Sequence, residues 1–387
     1  MVRMKTPYSP RVCSVRHVDI NLFARRFAEW FDFPRNREYA RCLANASVRR
    51  TSLESVYDNY GGLPPDSFFL SFKYPVETVI SAMDWFFECQ AGLLDLHGCT
   101  VAIDLNDVEY WGRVDEYVHP KKGLTKNTYV LRYAVASMVD EKRKLALACM
   151  PISTNDKLVD IVRILLEKAM SHVLVDVVLF DRGFYNATLL KTVEEMGVDY
   201  VIPLRKSKGT DRVWEESKKN GECKLRHTVK GETDQISAWL YLDEKKKENK
   251  EEVDRKETGK RKGQNKNKNK NRKKRKEREY VGVISNMDVR PELVEDFMDW
   301  YFVRNNVETG FKEKNQYKIR TCSTDKAYRF LIYCISLYLM NLVQVVRIVN
   351  NTFFRNDEMK KLVILLLILD KPLVGEHRLS RTLIVIA

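Results

Sequence analysis

A chain of 387 residues is long enough for two domains or one enlarged one, and 44% hydrophobic with 31% charged residues supports a sizeable core, which excludes wholesale disorder. Eight cysteines (13, 42, 89, 99, 149, 223, 322 and 334) are scattered with no Cys-x-x-Cys pair, and the six histidines never take zinc-finger spacing; a secreted disulfide scaffold and a zinc finger are excluded, and thiols in a reducing compartment fit. The net charge of +14 is concentrated, because residues 244–279 hold eighteen Lys/Arg against eight Asp/Glu, or +10, and such a tract suits nucleic acid or an anionic membrane.

In chain order, residues 1–98 read as mainly helical, from the aromatic and leucine spacing of 21–31 and 75–96, with Gly61-Gly62-Leu63-Pro64-Pro65 as a break between them. The first twenty residues are basic and lack the apolar run of a signal peptide. Arg25, Arg26, Arg49 and Arg50 mark this region as basic, though no helix-turn-helix stands out. From 99 the pattern turns to strands. Residues 99–105 (CTVAIDL) carry a carboxylate near their end, 129–139 alternate, and 144–150 follow Asp140-Glu141-Lys142, which predicts three consecutive antiparallel strands.

Residues 155–172 have helical period, with Leu158, Ile161, Val162, Leu165 and Leu166 on one side. The run 173–180 (VLVDVVLF) reads as a strand buried on both faces, and Asp181 follows it. A helix at 186–196, stopped by Gly197, and a strand at 200–203 complete this series. Residues 224–230 and 235–242 look like an inserted hairpin or small sheet, and the charged tract, with Lys-Asn alternation at 265–271, is predicted to be disordered for want of apolar residues to bury. A strand returns at 280–285. Pro291 opens a long helix over 292–316, with acids early and lysines late. The apolar run 330–346 is about as long as the shortest bilayer spans, but Asn341 and Gln344 interrupt it and Arg329 and Arg347 flank it, so a buried helix is expected and no membrane.

This order of elements is that of an α/β, ribonuclease H-like mixed sheet with flanking helices and a β-rich insertion before the last catalytic helix. The expected organisation is a helical N-terminal domain at 1–98, a catalytic core at 99–210, an insertion at 211–285 carrying the tract 244–279, the rest of the core at 286–350, and a C-terminal segment at 351–387. Asp104 and Asp181 each close an apolar strand, at the end of an α/β sheet where side chains converge on ligands. If the first and fourth strands are neighbours the two carboxylates meet, and their repulsion calls for a divalent cation, with hard oxygen donors suiting Mg²⁺ or Mn²⁺. Tyr301, Arg304, Glu308, Phe311 and Asn315 form one helical stripe, so Glu308 can complete a two-metal site while Tyr301 and Arg304 hold phosphate. Asp107 and Glu109 read as turn residues after the first strand, and His119 and His172 as ordinary histidines. Arg182 is placed to reach phosphate, and Arg205, Lys206 and Lys208 fall where a DNA track would pass.

The blocks AIDLND (102–107), LFDRGFYN (179–186) with VDYVIPLRKS (198–207), and YFVRNNVETGFKEKNQ (301–316) resemble the DDE transposases of prokaryotic insertion sequences, in the group marked by a Tyr-Arg-Glu-Lys signature. The resemblance covers roughly residues 100–323. It implies a metal-binding triad of Asp104, Asp181 and Glu308 holding two Mg²⁺ or Mn²⁺ ions, with Tyr301, Arg304, Lys312, Lys314, Arg182 and Arg205 on DNA. It further implies DNA cleavage and strand transfer at terminal inverted repeats and into target DNA, a homodimer on paired ends, and a cytoplasmic, nucleoid-associated protein. Members of the group often pass through a hairpin with a flipped base on an aromatic ring, for which Trp300, Trp214, Tyr185 and Phe184 are candidates. One departure is plain: the family's lysine falls on Asn315, flanked by Lys312 and Lys314. A nuclease or resolvase without strand transfer, and an inactive DNA-binding remnant, are the alternative readings.

Overall fold

The computed structural model describes residues 20–92, 94, 98–121, 129–140, 144–205, 207–231, 234–244, 280–350 and 360–361. The expectations for the charged tract, the first nineteen residues and nearly all of 351–387 lie outside these residues.

Aromatic residues one turn apart explain the first element: Phe23 and Phe27 of α1 (Ile20–Trp30) are buried and meet Phe31, Phe86 and Tyr338 ring to ring. There follow α2 (Asn36–Arg49), α3 (Leu53–Tyr60), α4 (Pro65–Ser71) and α5 (Val76–Ala91). The Ser52 hydroxyl accepts the Ser55 N–H to start α3, and Gly61 and Gly62 turn the chain at φ 71° and 119°, values that only glycine takes freely. These helices share one apolar cluster with the strands and with α11 (Lys326–Asn350). Gln90 donates to the Tyr338 carbonyl (2.9 Å), the Ser47 hydroxyl donates to that of Tyr317, and the Arg320 N–H reaches Thr51 (3.0 Å).

The strands are β1 (Cys99–Tyr110), β2 (Val118–Pro120), β3 (Tyr129–Val139), β4 (Lys144–Pro151), β5 (Val175–Leu179), β6 (Asp199–Pro203), β7 (Lys224–Lys230), β8 (Gln235–Glu244) and β9 (Tyr280–Ser285). They form one mixed sheet in the order β2-β3-β1-β5-β6-β9-β8-β7, with β4 also on β3. β1, β3 and β4 are antiparallel, whereas β1, β5 and β6 run parallel, as the connections through α6 (Leu158–His172) and α7 (Ala187–Glu195) require. Three antiparallel strands, then two parallel ones, with helices on both faces, make a ribonuclease H-like core.

Several expectations need correction. The hairpin β7–β8 is no separate small sheet, because β9 pairs with β6 on one side and β8 on the other and carries the central sheet onward. α8 (Lys208–Asn220), closed by a Ser207–Thr210 capping box and by Gly221, and the short β2 were not predicted. The long helix over 292–316 is broken: a 3₁₀ turn (Pro291–Leu293) leads into α9 (Val294–Tyr301), a second (Phe302–Arg304) separates it from α10 (Asn305–Lys314), and a third (Asn315–Tyr317) ends the run.

The apolar helix is core. Lys326–Val345 is long and apolar enough to cross a membrane (mean hydropathy 1.3), yet its apolar window is wholly buried in protein. Its two polar interruptions are spoken for. Asn341 accepts the Ala146 N–H (2.8 Å) and donates to the Ala146 carbonyl (2.7 Å) and to Gln90 (3.0 Å), while Gln344 donates to Glu313 (2.9 Å).

Candidate active site

The ladder between β1 and β5 pairs Ala102 with Leu179. Two residues further along each chain stand Asp104 and Asp181, so parallel pairing brings the predicted carboxylates level at the same end of the sheet. Asp104 does not close its strand, however. It sits within the twelve residues of β1, with Asn106 two residues on and hence on the same face. Asp107 and Glu109 are likewise strand residues and no turn; Asp107 takes both prongs of Arg132 across the ladder (2.7 and 3.1 Å).

The helical run crosses above these acids. Arg304, buried in the 3₁₀ turn between α9 and α10, places Nη2 3.3 Å from Asp104 Oδ2 and 3.9 Å from Asp181 Oδ1. Its Nε is buried with no hydrogen-bond partner among the described residues. The Leu105 N–H donates to Asp104 Oδ1 (2.8 Å). Burial pushes the Asp104 carboxyl above the usual carboxylate range; Arg304 and the Leu105 N–H oppose that rise, and the charges of Asp181 and Glu308 add to it. Glu308 itself is exposed, one turn beyond Arg304 on α10.

The remaining candidates divide by exposure. Arg182, Arg205 and Lys312 are exposed; Lys206 and the side chain of Lys208 lie outside the described residues. Tyr301 does not present its hydroxyl outward: it is buried and donates to the Phe180 carbonyl (3.0 Å), tying α9 to the residue before Asp181. Lys314 is also no surface contact. It is 3% exposed, donates to Asn106 Oδ1 (3.0 Å), which the Tyr333 hydroxyl also reaches (3.2 Å), and lies 3.9 Å from the Tyr333 ring centre. Burial brings its ammonium down to about 7. The reason for this correction is geometric, since the 3₁₀ break turns α10 so that Lys314 faces β1 and α11. Asn315, where the family's lysine is expected, is exposed.

Among the stacking candidates, Trp214 is buried against Tyr280 (ring centres 5.2 Å), Phe184 against Phe180 (5.4 Å), half-buried Trp300 stacks on Phe297 (5.7 Å), and the Tyr185 hydroxyl lies 3.2 Å from His227. An aromatic of the motif that does face solvent is Phe302, 45% exposed and next to Tyr301 in the chain, which the sequence reading passed over. Asn106 was missed too, although its i+2 spacing from Asp104 on a strand was available in the sequence. His119 bonds the Ile152 carbonyl (2.9 Å) and serves the scaffold.

Among the described residues, no three His, Cys, Asp or Glu side chains surround one point ready to hold a metal ion. The donor chemistry nevertheless fits a hard cation. Asp104, Asp181 and Glu308 offer only carboxylate oxygens, the charges of the latter two disfavour ionisation of Asp104, and the place between the first two is held by a positive group, the Arg304 guanidinium.

A sequence family described as "Transposase DDE domain" matches residues 116–340, a span that includes Asp181, Tyr301, Arg304 and Glu308 and begins after Asp104. No curated protein matches the chain. In fold, the chain is similar to the piggyBac transposase seen by cryo-EM in a synaptic complex with hairpin DNA. The TM-score is 0.51 at 12% identity, over 95% of this chain and 82% of that one.

Proposed function

The chain belongs to the transposase DDE domain family, and from that premise we propose that it is a DNA transposase of the insertion-sequence, Tyr-Arg-Glu-Lys kind, cutting phosphodiester bonds at terminal repeats and joining the freed ends to target DNA. The observation that carries this reading is the convergence of Asp104 and Asp181 on one guanidinium, with Glu308 a turn away on the same helical run as Arg304.

In this reading Asp104, Asp181 and Glu308 would hold two Mg²⁺ or Mn²⁺ ions. When bound, such ions supply Lewis acidity at the phosphate and favour an ionised water. The chain's own residues do the rest. The Leu105 N–H and Tyr301, through the Phe180 carbonyl, orient the two aspartates. Arg304 offers its unpartnered Nε and the rest of its planar fork to a phosphate. Exposed Arg182, Arg205 and Lys312 add sequence-independent backbone contacts, as does the Lys-rich tract. Terminal-repeat recognition falls to the helical region of 1–98, and the active form is a homodimer on paired ends. The fold neighbour is held with hairpin DNA, and we carry the hairpin route to this chain with Phe302 as the ring that takes a flipped base.

The test is incubation with Mn²⁺ and supercoiled plasmid bearing the inverted repeats that flank the gene. Joined products that disappear in Asp181→Ala support the proposal. Cleaved ends alone would make it a nuclease or resolvase. No Asp181-dependent cleavage at all would leave a DNA-binding remnant, the reading that the Asn315 departure favours.

A further inference from the structure

Two carboxylates brought together in a partly buried place repel each other, and a third negative charge, Glu308, stands close enough to be felt. Something positive must occupy the space between them, and in this structure it is Arg304. The bond it makes is unlike the usual one. A guanidinium normally meets a carboxylate with two parallel N–H donors; here Nη2 alone serves both acids, at 3.3 and 3.9 Å, while Nε stays buried without a partner. By contrast, Arg132 and Asp107 in the same sheet form the two-pronged pair at 2.7 and 3.1 Å. Arg304 therefore engages the acids through a single nitrogen, at the end of a 3₁₀ turn that joins two helices, with its Nε unpartnered among the described residues.

We propose that Arg304 is an internal counterion that holds the place of the divalent cation between Asp104 and Asp181 and is displaced when that cation binds, which frees its fork for a DNA phosphate. This rests on the reading of the two aspartates as cation ligands. It makes the cation and the DNA positively coupled through one side chain: the cation releases Arg304, and phosphate binding to the released fork in turn favours the cation-bound state, as linkage requires.

The probe is Mn²⁺ alone, its affinity measured by calorimetry or electron paramagnetic resonance on the full chain, without DNA. Removing a positive charge this close to the ligands should tighten Mn²⁺ binding by about tenfold or more in Arg304→Gln, and Asp104→Asn should abolish it. A second measurement needs no variant: labelling of arginines with phenylglyoxal, read by mass spectrometry. Arg304, 7% exposed, should be protected in the cation-free protein and become reactive at saturating Mn²⁺. If Asp104→Asn abolishes binding but Arg304→Gln does not tighten it, or if Arg304 stays equally protected with Mn²⁺ bound, the counterion role is refuted while the acids remain cation ligands. If the unaltered chain ignores Mn²⁺, or Asp104→Asn binds it equally well, the reading of the acids falls first and this inference falls with it.

Discussion

Replacing Lys314 by methionine should stabilise the protein near neutral pH and lose that advantage as the pH rises towards 10. Methionine keeps an unbranched side chain of similar length and removes the ammonium, which lies 3.9 Å from the Tyr333 ring centre and 5.8 Å from that of Phe311. Burial has brought that group from its ordinary 10.5 to about 7, a difference worth about 5 kcal/mol in favour of the neutral form. The sign follows from proton counts. Between pH 7 and 10.5 the unfolded chain binds a proton here that the folded chain does not, so the stability tied to this group is complete above 10.5 and is lost as pH falls towards 7. Against that stands the lost hydrogen bond to Asn106, about 1 kcal/mol, softened because Tyr333 still reaches the same oxygen. Below pH 7, Lys314→Met should therefore be more stable than the unaltered protein by about 4 kcal/mol, and that lead should shrink by about 1.4 kcal/mol per pH unit towards pH 10. Urea unfolding of both proteins at half-unit steps from pH 6.5 to 9.5 reads the difference directly. Two stability curves that stay parallel over this window would refute the reasoning.

Three further outcomes follow from individual contacts. Asn341→Leu strips the Ala146 N–H and carbonyl of their side-chain partners inside the core, so urea denaturation should show a loss of about 3 kcal/mol or more, far above that of an ordinary polar-to-apolar change on a helix. Tyr301→Phe leaves the buried Phe180 carbonyl without its O–H donor and should cost about 1–3 kcal/mol by the same assay, with Mn²⁺ affinity weakened because the strand end carrying Asp181 is no longer tied to α9. In Gly282→Ala the new methyl would lie 2.9 Å from Leu204 Cδ2 and 3.1 Å from Leu242 Cδ2 in the middle of the sheet, and overpacking there should lower stability by about 1–3 kcal/mol.

The parts of the architecture that were legible in the sequence are those written as hydrophobic period. The run at 173–180 and the alternation at 129–139 announce buried strands, and the neighbouring positions of Asp104 and Asp181 follow from pairing β1 with β5. Less legible were features whose cause lies in tertiary packing. α8 has few apolar residues in KGTDRVWEESKKN, so its period is faint and its existence depends on the Ser207 cap and on Trp214 stacking against Tyr280. The 3₁₀ break at Phe302–Arg304 contains neither glycine nor proline; it arises where Arg304 turns inward to the acids and Phe302 outward. The inward position of Lys314, expected on DNA from the resemblance, was equally hidden, because it depends on α10 meeting Asn106 and Tyr333. The extension of the sheet through β9 could not be read either, since a hairpin inserted beside a sheet and one that continues it share the same alternation.

The ladder between β8 and β9 ends at a pairing of Glu244 with Tyr280, so the chain departs from the sheet and rejoins it at two adjacent points. The passage between these residues is thus tethered to the sheet at two neighbouring points. Replacing its thirty-five residues with a four-residue turn would change the entropy of closing the loop by only about 2 kcal/mol, and in the favourable direction. The two adjacent anchors therefore make this passage a place to shorten or to insert by design, and a fluorescent or affinity module grafted there should leave the two aspartates where they stand.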